Sequence, residues 1–82
     1  MVNSDLVARA DRAFVDEELQ SAVDLYTQAL ASAEGSPKDA AAILASRSHA
    51  NNNMSRFLEA AADATRAVEL DPSSAKAFLR KG

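Results

Sequence analysis

Laid over itself with an offset of 38 residues, the chain repeats its own pattern of side-chain sizes. Leu6 falls on Leu44, Arg9 on Arg47, Ala10 on Ser48, Leu19 on Phe57, Ala22 on Ala60, Ala29 on Ala67 and Leu30 on Val68. An offset of 34 sets Leu44 on Phe78, Arg47 on Lys81, Ser48 on Gly82 and Ala42 on Lys76. The underlying period is 34, with about four extra residues near Gly35-Ser36-Pro37-Lys38 lengthening the first unit. A period of this length means supersecondary units that cannot each bury an apolar face alone and must therefore stack. Small residues recur where two helices of a unit approach closely, and large ones where space must be filled.

The units are helical. Spacings of three and four residues predict helices over about 5–16, 20–33, 38–53 and 56–70, with a fifth beginning near Ser74. Leu6, Ala10, Ala13 and Phe14 share one face of the first, behind a cap at Asn3 or Ser4. Ala22, Leu25, Tyr26, Ala29 and Leu30 do the same in the second. Asp16-Glu17-Glu18 reads as a solvated turn. Gly35 is expected to end the second helix, Ser36 to cap the third, Pro37 to open it and Asp39 to favour its positive end. Asn51-Asn52-Asn53 reads as a loosely packed helix end, because asparagine is an indifferent helix former. Tyr26 and Phe57 read as packing residues. No strand pattern competes.

The stretches ADRAFVDEELQSAVDLYTQAL, RFLEAAADATRAVELDP and KAFLRKG, with Ala22, Tyr26 and Ala29 answered by Ala60, Ala64, Ala67 and Pro72, resemble the tetratricopeptide repeat. That resemblance implies an all-α fold of helix-turn-helix repeats stacked as a right-handed superhelix. The first repeat covers about 3–36, the second about 38–72, and the first helix of a third 73–82, in a single domain belonging to a longer protein. Within the family, AFVDEELQSAVDLYTQAL and KAFLRKG look like the N-terminal domain of a plant-type co-chaperone family, the suppressor of G-two allele of Skp-one. Those proteins place such a domain ahead of CS and SGS regions. The present chain departs from them at NNNMS, where an aromatic and a KLG turn are usual.

The resemblance also implies a concave groove lined by the first helix of each repeat. Its candidate partner-binding residues are Asp11, Ser46, His49, Asn52, Asn53, Lys76 and Arg80, with Val7, Phe14 and Val15 beside them. Chaperone-binding relatives carry a five-residue carboxylate clamp. Lys76 and Arg80 match its two cations, while Val7, Asp11 and Ser46 stand where a lysine and two asparagines are expected. One helical turn sets Lys76 and Arg80 on a common face, and the arginine can fork onto a carboxylate. A carboxylate at Asp11 repels a bound carboxylate, so weak or no binding of chaperone C-terminal peptides is expected. Plainer readings stand beside these. A solvated face accounts for Lys76, Arg80 and Lys81, and a partly exposed helix position accounts for His49.

Composition narrows the chemistry. Among 82 residues there are one histidine, no cysteine and two glycines, which leaves no thiolate metal site, nucleophile-base set or glycine-rich phosphate loop. A net charge of −3 counts against nucleic acid as the main partner. No apolar run reaches membrane-spanning length and no secretory signal is evident, so a cytoplasmic location, shared with the nucleus, is expected. The function expected is a non-enzymatic, cofactor-free protein-protein interaction module of a co-chaperone or adaptor. Its partner is a protein or peptide, of heat-shock-chaperone or ubiquitin-ligase-related type. The alternative is self-association as a homodimer through the surface left uncapped by the last helix, around Ala64, Val68 and Leu70.

Overall fold

The computed structural model of the chain describes residues 4–72. Four helices follow one another: α1 (Ser4–Val15), α2 (Leu19–Ser32), α3 (Pro37–Asn53) and α4 (Phe57–Leu70). There is no strand among the described residues. Each helix packs on its chain neighbours, α1 on α2, α2 on α3 and α3 on α4. The result is two antiparallel helix pairs laid side by side, an all-α helical repeat.

Alanine makes the close crossings possible. Ala10 and Ala13 on α1 meet Ala22, Tyr26 and Ala29 on α2, and Ile43 of α3 closes the cluster, with Leu6, Val7, Phe14, Leu25 and Leu30 around its margin. A second cluster joins Ala41 and Leu44 of α3 to Ala67 of α4. Leu30 packs against both. α3 is buried on two sides because it is gripped by α2 and α4, so its buried residues (Ala41, Ile43, Leu44, Ser48, Ala50, Asn51) do not form one stripe.

The turns inside the two pairs are alike. Glu17 and Ser55, one repeat apart, both take φ 63°. Around the first, the Glu18 amide donates to the Ala13 carbonyl (2.8 Å) and the Glu17 amide to that of Phe14 (3.0 Å). Around the second, the Arg56 amide donates to Asn51 (2.8 Å) and the Ser55 amide to Asn52 (3.0 Å). This is the Schellman arrangement, which satisfies the last helical carbonyls with a left-handed residue just past the helix. Glycine is the usual occupant because it has no Cβ to clash. Neither position carries one, so no local residue signal announces the turn type.

Between the pairs the expectation needs correction. Gly35 does not terminate α2, which ends at Ser32 with Ala33 as its cap, and Gly35 does not take a positive φ. Ser36 stands at the start of α3 in extended conformation, but its hydroxyl makes no capping bond. Pro37 and Asp39 sit in the first turn as expected. Phe57, read as a packing residue, is instead 62% exposed at the start of α4.

Candidate functional site

The groove face lies between α1 and α3, the first helices of the two pairs. Two recesses run along it. One, of about 260 Å³, is lined by Ser4, Val7, Ala8 and Asp11 of α1 and by Asp39, Ala42 and Ile43 of α3. The other, of about 280 Å³, is lined by Asp11, Phe14, Tyr26, Ser46 and His49. Asp11 belongs to both, so the recesses form one trough with that carboxylate at the junction.

Asp11 is held from below. The Tyr26 hydroxyl, on a residue only 2% exposed, donates a hydrogen bond to Asp11 Oδ1. Burial raises the Tyr26 phenol well above its ordinary range, the bond to Asp11 and that carboxylate's charge raise it further, and Ser46 opposes them in part. Tyr26 therefore does more than fill space. The sequence placed it in the core correctly but gave no sign of its partner, fifteen residues earlier on another helix.

Of the sequence candidates, Asp11, Ser46 and His49 come together in the trough. Asn52 lies on an adjoining recess of about 330 Å³, with Ser48, Phe57, Ala60, Ala61 and Ala64, which shares His49 with the trough. Asn53 is exposed and lines none of these recesses. Val15 also points to solvent. Lys76 and Arg80 lie outside the described residues. Asp39, Ala42 and Ile43 were not among the candidates, yet they form the α3 wall of the first recess.

The second pair holds a polar cluster that the sequence reading missed. Arg47 grips Asp63 with two bonds, Nη2 to Oδ1 at 2.6 Å and Nε to Oδ2 at 2.9 Å. Asn51 Nδ2 donates to Asp63 Oδ2 (3.1 Å), and Ser48 Oγ donates to the Ala60 carbonyl (2.8 Å). Arg47 Nη1 also reaches Thr27 Oγ1 on α2, at 3.1 Å. Asn51 is thus buried at 4% exposure and tied to α4, not part of a loose helix end. Among the described residues, no buried side-chain nitrogen or oxygen lacks a partner. The cluster is a structural fastening, directed between helices and away from the trough. A signal for it did exist: the 38-residue offset sets Ser48, Asn51 and Asp63 on Ala10, Ala13 and Leu25, three changes from apolar to polar on one interface.

Among the described residues, no three acidic or histidine side chains are placed to hold a metal ion, and no helix is long and apolar enough to cross a membrane. Stacked helix pairs, alanine crossings and an open trough along the first helices define the chain as an all-α helical-repeat domain, like the tetratricopeptide units that its sequence resembles. Over 79 residues, 96% of its length, it is 48% identical to the Protein SGT1 homolog of Oryza sativa subsp. japonica. It is also 37% identical over 87 aligned positions, 99% of the chain, to the serine/threonine-protein phosphatase T of Aspergillus oryzae. The chain spans 20% and 17% of the length of these two curated relatives. No protein-family model and no solved structure matches it.

Proposed function

We propose that this chain is a non-enzymatic protein-interaction domain of a co-chaperone, taking an extended segment of a partner along the trough between α1 and α3. The observation behind this reading is the trough itself: two recesses joined at a carboxylate that a buried tyrosine fixes in place. Extended peptides suit such grooves because side-chain pockets along one face select for sequence while the open mouth leaves the backbone accessible. The co-chaperone attribution draws on the likeness to the rice protein, and it favours a heat-shock chaperone or a ubiquitin-ligase-related protein as partner. It also favours a cytoplasmic or nuclear setting, which imaging of the tagged full-length protein would check. Ala42 is exposed on the trough wall, so Ala42→Phe blocks it without entering the core. In a pull-down with the full-length parent, this variant is expected to lose its partner while keeping wild-type helicity. Undiminished capture would rule out the trough.

A second reading, self-association, rests on α4. Phe57 and Leu58 are 62% and 85% exposed beside the recess that contains Ala61 and Ala64, and Val68 is exposed on the same helix. Large apolar side chains grouped at a concavity favour association. Light scattering over a dilution series is expected to show a dimer that Phe57→Glu dissociates. A monomer at every concentration eliminates this reading.

A further inference from the structure

We infer that the recess lined by Val7, Ala8, Ala42 and Ile43 receives a lysine or arginine side chain of the partner segment, an inference that rests on the trough being the binding surface. Two features of the lining set this preference. The floor and walls are aliphatic, whereas the polar groups on the rim are Ser4, Asp11 and Asp39. None of the described lining residues is basic. The arginines of α1 that lie nearest in sequence, Arg9 and Arg12, line a different recess facing α2, where Arg12 pairs with Asp16 at 3.6 Å.

An aliphatic floor beneath two carboxylates matches a long cationic side chain, whose methylene stem covers apolar surface while its charged head stays at the polar rim. An acidic side chain or a free C-terminus would bring like charges together, and a purely aliphatic one would leave the carboxylates unused. Size agrees, since about 260 Å³ lies below the roughly 300–1,000 Å³ typical of drug-sized sites and suits one side chain. Asp11 is also prepared for the task. Tyr26 occupies Oδ1, which fixes the carboxylate plane, and a carboxylate has about four lone-pair sites, so acceptor capacity remains for an incoming cation.

Both carboxylates also have local roles, Asp11 with Tyr26 and Asp39 in the first turn of α3, where negative charge is favoured. The test therefore uses asparagine, which keeps an acceptor oxygen at each place. The probes are three blocked alanine-rich peptides, identical except for lysine and arginine, two glutamines, or two glutamates at the same positions. Each is titrated against the 82-residue chain and followed by amide chemical shifts. The basic peptide is expected to bind roughly fivefold more tightly than the glutamine peptide. Its shifts should centre on Val7, Ala42 and Ile43, and the advantage should shrink as salt is added. Asp39→Asn and Asp11→Asn should each reduce the advantage while the chain stays folded, at a small cost in thermal midpoint. Equal binding of the basic and glutamine peptides, or tightest binding of the glutamate peptide, overturns the cation preference while leaving the trough as the binding surface. If none of the three shifts the α1 and α3 amides, the preference and the trough reading fall together.

Discussion

The two helix pairs have the same backbone plan and are closed by different chemistry. In the first, Ala10 and Ala13 of α1 face α2 across an apolar seam flanked by Leu25. In the second, the equivalent positions are Ser48, Asn51 and Asp63, and Arg47 completes a two-pronged ion pair. An apolar seam tolerates small errors in distance but carries little directional information. A satisfied polar cluster fixes one arrangement, because every donor must find its acceptor at bonding distance. The pairs differ on their open sides too. Phe14 and Tyr26 line the trough beside the first, while their counterparts Asn52 and Ala64 line the recess beside Phe57.

The comparison is most forcefully broken at Asp63. Its side chain is 8% exposed and that of Arg47 21%, so the guanidinium can turn partly toward water once its partner is gone. Asp63→Ala is therefore expected to cost about 3 kcal/mol, near the lower end for breaking a buried pair, read from urea denaturation. For a chain of 82 residues that is a large share of a total near 4–12 kcal/mol. Converting the second seam into a copy of the first, with Ser48→Ala, Asn51→Ala and Asp63→Leu together, should recover most of that loss and fall within about 1 kcal/mol of wild type. If the triple variant is as unstable as Asp63→Ala, the two seams are not interchangeable solutions.

The next effect is at Tyr26. Tyr26→Phe removes one hydrogen bond to a carboxylate that water can reach, an expected loss of about 1 kcal/mol. A pH signature accompanies it. The folded phenol holds its proton above the ordinary range, so the bond's contribution is intact below the unfolded value of about 10 and declines as pH rises beyond it. Because Tyr26 is the one tyrosine in the sequence, tyrosinate absorbance reports it alone. The folded chain should titrate above the urea-unfolded chain, and coincident curves would contradict the buried bond.

The smallest effect concerns what the pairs share. Glycine at Glu17 or at Ser55 relieves a left-handed residue of about 1–2 kcal/mol of strain but adds freedom to the unfolded chain. A net gain of about 0.5 kcal/mol is expected at each, similar in the two turns. A loss in either would show that its side chain supports the turn in a way the backbone geometry does not reveal.

Legibility in the sequence followed the range of the interactions. Helix ends came within about one residue, since spacing of alanines and the Ser36-Pro37 boundary are local signals. The left-handed turns stayed hidden because Glu17 and Ser55 are unusual residues for that conformation, and only the completed hairpin imposes it. The junction of the trough was partly visible in Asp11, Ser46 and His49. Its α3 wall and the Tyr26 bond were not, because the wall depends on how one pair sits against the other and the bond on how α2 sits against α1.

Leu30 packs into both apolar clusters, and Arg47 carries a bond back to Thr27 on the same helix. In a one-dimensional array of repeats, stability is the sum of each unit's own folding and the coupling to its neighbour. Here one leucine and one arginine on the shared boundary contribute to that coupling, which ties the fate of α1 to that of α4. Native-state hydrogen exchange should then find the slowest amides of both pairs opening together, in a single event. Leu30→Ala should uncouple them, letting the weaker pair fray while the other remains folded.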